Sequence, residues 1–164
     1  MLPTMPRVRD AGARELSALL EQHVLDGLAA AGGWWPFDRY MAAALYEPGL
    51  GYYARPGATV FGAMPSGAGT AAPSDFVTAP ELSAHFGATL AGQVAEALQV
   101  GGLDEVVEFG AGSGALAAQL LGALDAAGVP PRRYAIVELS GALRARQQAR
   151  LAPFGERVHW LDAL

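Results

Sequence analysis

Leu16, Leu19, Leu20, Val24 and Leu28 recur at helical spacing and Gly32 and Gly33 close the run, which predicts an amphipathic helix over residues 14–31. A stretch dense in aromatics and broken by Pro36, Pro48 and Pro56 follows, predicting a short helix over residues 37–45 and then turns. Residues 62–74, GAMPSGAGTAAPS, carry no charge and no aromatic ring, a composition that predicts a mobile loop. Apolar periodicity returns at Leu82, Phe86, Leu90, Val94 and Leu98, in steps of four. Ahead of it Thr78 and Glu81 stand three apart with Pro80 between them, which reads as a capping box that starts a long helix near Ala79; Gly101 and Gly102 end it. From Glu105 the period changes to strand, glycine loop, helix over 113–127, strand YAIVE, helix over 141–151 and strand RVHWL. That alternation predicts βαβ units in a parallel sheet with right-handed crossovers. The organisation expected is a helical amino-terminal region, 1–102, and a sheet region, 103–164.

Composition narrows the chemistry. The 164 residues suit one domain, and although 52% are hydrophobic, no apolar stretch is long and uninterrupted enough to span a bilayer, so a soluble protein without membrane insertion is expected. Near the start Arg7, Arg9 and Arg14 alternate with Asp10 and Glu15 and no apolar run follows, which reads as no targeting signal and a cytoplasmic, bacterial-type location. Absence of cysteine removes disulfides, thiolate metal sites and cysteine nucleophiles, and His23, His85 and His159 have no metal-ligand spacing, so no metal is expected. All eleven basic residues are Arg, which excludes a P-loop lysine and Schiff-base chemistry. A net charge of -5 argues against a nucleic-acid surface, and the late arginines Arg132, Arg133, Arg144, Arg146, Arg150 and Arg157 read as a solvated helix face.

The chemistry concentrates in VVEFGAGSGAL, where Gly110, Gly112 and Gly114 follow an apolar strand. Gly110, Gly112 and Ala115 satisfy a loose dinucleotide pattern that many proteins share. Glu108 breaks the tie. It stands two residues before the first glycine, where a dinucleotide would lay its pyrophosphate, and would repel it by about 4 kcal/mol at 4 Å and an effective dielectric of about 20. S-adenosylmethionine brings an ammonium and a sulfonium there instead, and its carboxylate can take loop and helix N–H groups. Glu138, ending the second strand, can accept both ribose hydroxyls, and Asp162, after the third, can accept the adenine amino group. As structural residues, Glu108 would be a sheet-end ion-pair acid, Glu138 a helix cap and Asp162 a turn acid.

The segments FDRYMAAALYEPGLGYY, DFVTAPELSAHFG, VVEFGAGSGALA and YAIVELSGALRARQ, in that order, resemble the amino-terminal half of the MidA-like family. These are class I S-adenosylmethionine-dependent methyltransferases whose mitochondrial members help assemble respiratory complex I and act on an arginine of one of its subunits. The resemblance runs from Phe37 to Leu164. It implies an α/β fold, a Rossmann-like class I methyltransferase sheet represented by its first three parallel strands in the order 3-2-1, preceded by a helical region. It further implies that Glu108, Gly110, Ala111, Gly112 and Gly114 shape the cofactor loop, that Glu138 and Leu139 hold the nucleoside, and that Thr78, Pro80 and Glu81 wall the cofactor. The implied partner is a protein substrate, a complex I subunit among the candidates.

Two departures stand out. The family joins its Phe-Gly to its Gly-Asp-Phe within a residue or two, whereas here residues 62–74 intervene and Ser74 replaces the glycine. The family also continues for roughly as many residues again, so a fragment is expected, incomplete and inactive alone, with the first strand an open edge prone to self-association. For a guanidinium acceptor, carboxylates must orient the fork and take the released proton; Asp75 and Glu81 are the catalytic candidates here, with turn and capping roles as the alternatives. An NAD-linked oxidoreductase and a non-catalytic assembly factor that retains the cofactor fold are the competing functions.

Overall fold

A computed structural model describes residues 8–55 and 77–162. Asp75, the 62–74 segment and Phe76 lie outside the described residues. The chain divides into two compact units, Met1–Ala58 and Thr59–Leu164.

In the first unit, α1 (Val8–Ala30) starts earlier than its apolar pattern suggests and stops where expected. Gly32 and Gly33 turn the chain at φ 78° and 91°, and the Gly33 N–H reaches back to the Leu28 carbonyl at 2.7 Å. Such left-handed backbone favours residues without a Cβ, which is why paired glycines end this helix. α2 (Phe37–Tyr46) follows Pro36, whose fixed φ suits a helix entry. Trp35 packs on Gly27, where any side chain would collide with the indole, and Arg39 lies 4.4 Å above the ring.

The second unit holds α3 (Ala79–Leu82), α4 (Ala84–Gly101), β1 (Glu105–Phe109), α5 (Ala115–Ala126), β2 (Arg133–Val137), α6 (Gly141–Leu151), a 3₁₀ turn (Ala152–Arg157) and β3 (Val158–Leu161). The strands form one parallel sheet in the order β1-β2-β3, the predicted 3-2-1 arrangement. Val106 pairs with Tyr134 and Tyr134 with Val158; Glu108 pairs with Ile136 and Ile136 with Trp160. These positions share one face by the two-residue period of a strand. All of them but Glu108 pack with Ala117, Leu120, Leu121 and Leu124 of α5 and Leu151 of α6 in the core. The opposite face carries Val107 and Phe109, 41% and 63% exposed.

The capping box expected at Thr78 and Glu81 is not formed. The Thr78 side chain makes no cap bond, α3 lasts a single turn, and the chain extends at Ser83 (φ -156°, ψ 136°) before α4 begins. The Ser83 hydroxyl accepts the His85 N–H at 3.1 Å and caps α4 instead. Tertiary bonds decide the difference: Glu81 is drawn to the glycine loop, and Gln119 of α5 straddles the break. Gln119 donates to the Pro80 carbonyl at 2.7 Å and accepts from the Gly87 N–H at 3.0 Å.

Gly87 is buried, and a Cβ there would collide with the Gln119 side chain. Gly87→Ala should therefore dislodge both Gln119 bonds and cost about 1–3 kcal/mol in urea denaturation, although alanine is the better helix former.

Candidate functional site

The site grows from the loop joining β1 to α5. Gly110, Gly112 and Gly114 take φ of 62°, 57° and 79°, and no non-glycine described residue has positive φ. Three left-handed residues within five would be strained with any side chain, so the glycines are a backbone requirement here. The Gly110 N–H continues the sheet to the Val137 carbonyl at 2.9 Å, and Gly114 opens α5 with its N–H on the Ala111 carbonyl at 2.8 Å.

Glu108 stands on the core face of β1, half-buried, and accepts the Tyr134 hydroxyl at 2.7 Å. Burial raises its carboxyl above the ordinary range and outweighs the lowering by that hydrogen bond. Tyr134 is wholly buried, and burial and the Glu108 charge push its phenol far up, so it stays a neutral donor.

Around a cleft of about 430 Å³ the fold gathers Thr78, Pro80 and Glu81 of the α3 segment with Glu108, Gly110, Ala111 and Gly112. Gly114, Glu138, Leu139 and Asp162 do not line it. Glu138 is 4% exposed at the carboxyl end of β2, its oxygens accepting the Ser140 N–H and the Gln147 Nε2, each at 2.9 Å. Leu139 beside it is exposed. Asp162 pairs with Arg144 at 2.7 Å, and Arg144 also donates to the Glu138 carbonyl at 2.9 Å.

Four residues with a part in the site escaped the sequence reading: Tyr134, Ser113, Arg150 and Gln147. Ser113, with Glu81 and Arg150, forms a cluster described below. Gln147 is fully buried and bonds three elements, with Nε2 on the Gly112 carbonyl and on Glu138, both at 2.9 Å, and Oε1 accepting the Trp160 indole N–H at 2.9 Å. A signal for it existed, since Leu143, Gln147 and Leu151 repeat at steps of four and put one amide in an apolar stripe. The late arginines do not form one solvated face. Arg132, Arg133, Arg144, Arg150 and Arg157 each pair with a different acid, because α3, the strand ends and α5 bring acids to them.

Among the described residues no cluster of three or more His, Asp or Glu could hold a metal, and no helix is long and apolar enough to cross a membrane.

A parallel β1-β2-β3 sheet, a glycine loop at the carboxyl end of β1 and an acid ending each of β1 and β2 define the first strands of a Rossmann-like class I methyltransferase fold. The comparisons agree. Residues 89–164 match the family described as "Putative S-adenosyl-L-methionine-dependent methyltransferase". Over its whole length the chain is 50% identical, with a TM-score of 0.78, to a COG1565 superfamily protein from Burkholderia thailandensis crystallised with S-adenosyl-homocysteine, and covers 41% of that chain. A native structure of an uncharacterised COG1565 superfamily protein from the same organism is 46% identical, with a TM-score of 0.72, over the whole of this chain and 39% of the other. The chain thus spans about two fifths of the solved proteins it matches. Among curated proteins none matches.

Two outcomes test this geometry. A carboxyl whose folded pKa lies above its unfolded value adds stability that is complete below the unfolded value, near 4.5, and is lost as pH rises through the folded one. Glu108→Gln should therefore raise Tm at pH 8, by on the order of 3 °C, with the gain vanishing near pH 4 in thermal scans. Gln147→Leu keeps the volume but leaves the Gly112 carbonyl and the Trp160 indole without partners; a loss of about 2–4 kcal/mol in urea denaturation is expected.

Proposed function

We propose that this chain binds S-adenosylmethionine and supplies the donor-binding half of a methyltransferase cleft. The observation that carries the reading is Glu108, an acid lining the cleft beside the glycine loop. Its hydrogen-bond partner Tyr134 is neutral, and no cation pairs with it among the described residues. A half-buried carboxylate in that position favours a cationic ligand and disfavours a pyrophosphate. The solved relative with S-adenosyl-homocysteine, half identical across this chain, supports the same ligand.

The residues present fit that ligand. Glu108 would hold the donor's ammonium end, directly or through a water, and the loop N–H groups at the start of α5 would take its carboxylate. Glu138 would meet the ribose hydroxyls, since a carboxylate has acceptor capacity beyond the two protein bonds it makes here. Leu139, exposed at the same strand end, would lie against the base, with Asp162 near its amino group. When bound, the sulfonium would supply its methyl group to an acceptor lone pair by in-line displacement, the carbon–sulfur pair staying on sulfur, which leaves as the neutral thioether. The protein then contributes position and charge, and a carboxylate to receive the acceptor's proton.

For the acceptor we infer an arginine side chain of a protein, in a respiratory complex I subunit, supported by the MidA-like resemblance alone. Its planar guanidinium calls for carboxylates to orient it.

Isothermal titration tests the donor reading. S-adenosyl-homocysteine should bind the chain saturably and NADH should not, and Glu108→Ala should weaken the former about tenfold, or 1.4 kcal/mol. Binding of NADH in preference would return the reading to an oxidoreductase. Donor binding by an intact relative that methylates no complex I subunit would favour an assembly factor.

A further inference from the structure

Glu81, Ser113 and Arg150 meet from three elements that lie far apart in sequence. The Ser113 hydroxyl donates to the Glu81 carboxylate, and Arg150 Nη1 reaches both, at 3.2 Å to Glu81 and 2.7 Å to Ser113. The Glu81 side chain is 8% exposed and Ser113 is buried, while Arg150 stays half-exposed on α6.

The cluster answers a mechanical problem. From Gly110 to Gly114 the loop offers a single polar side chain, Ser113, so any bond made by a loop side chain has to come from it, while Gln147 holds the loop through the Gly112 carbonyl. α3 is one turn long, too short to hold its own place, since helix nucleation costs more than one turn returns. Its place is set by tertiary bonds: the Pro80 carbonyl to Gln119, and Glu81 to Ser113 and Arg150. The ion pair also neutralises Glu81, which leaves Glu108 as the acid of the cleft wall that no cation pairs with among the described residues.

We propose that Glu81 is a positioning residue that, through Ser113 and Arg150, couples α3 to the glycine loop and so sets wall and floor of the cleft together. Given the donor reading above, on which this rests, the coupling shapes the end of the cleft that takes the amino-acid portion of the ligand. The nucleoside contacts at Glu138 lie outside that wall.

Hydrogen exchange and titration on Glu81→Ala and Glu81→Gln of the full chain test it. Glu81→Ala should speed exchange of the Ala111–Gly114 amides about tenfold while core amides of α5 and β2 keep their protection. Glu81→Gln, which still accepts from Ser113 and Arg150, should restore most of the protection. In titrations Glu81→Ala should weaken S-adenosyl-homocysteine about tenfold and adenosine less than twofold, since adenosine lacks the amino-acid portion. Loop amides at wild-type rates in Glu81→Ala, or exchange raised equally throughout the unit, would overturn the coupling. A wild-type chain that ignores S-adenosyl-homocysteine while Glu81→Ala still frees the loop would refute the donor reading and support the coupling.

Discussion

The Gln147 amide is the constraint on which the rest of the site depends. From the middle of α6 it holds the loop after β1 through the Gly112 carbonyl, the end of β2 through Glu138, and β3 through the Trp160 indole. A glycine loop in left-handed backbone has little conformational preference of its own, so its shape must be held from outside. A buried amide with three satisfied bonds does this with direction, which apolar packing alone lacks. Gly114 lies beside it, where a Cβ would rest in ordinary contact 3.5 Å from Gln147, and its φ of 79° is what calls for glycine.

Around that point the sheet works against itself in a useful way. The parallel register that places Val106, Tyr134 and Val158 in the core also places Glu108 on the core face. Burial there disfavours its charge, and the Tyr134 hydroxyl only partly offsets the penalty. A carboxylate kept at that cost gains most from a ligand that brings positive charge, so the stability it withholds from the empty fold is available to binding.

The α3 wall shows how local signals lose to tertiary ones. Thr78, Pro80 and Glu81 carry the marks of a helix start, and a helix does start at Ala79. It ends after one turn because Glu81 finds Arg150 and Ser113, Gln119 takes the Pro80 carbonyl, and Ser83 offers a second cap. Each of those partners lies more than 30 residues away except Ser83, and spacing rules see only neighbours.

Period and punctuation therefore carried the architecture. Helical spacing placed α1 and α4, apolar runs between glycines and prolines placed the three strands, and their alternation with helices dictated a parallel sheet, since each of these is a local or near-local preference. The glycine loop and the acids before it and at the end of β2 were legible for the same reason: they sit at fixed offsets from strand ends. Tertiary structure alone decided which polar groups face one another. It paired Tyr134 with Glu108, gave Glu138 to Gln147, turned Glu81 toward Arg150 and distributed the late arginines among separate acids. Those outcomes depend on which side chains the folded core brings within about 3 Å, a distance that the order of residues along the chain does not encode.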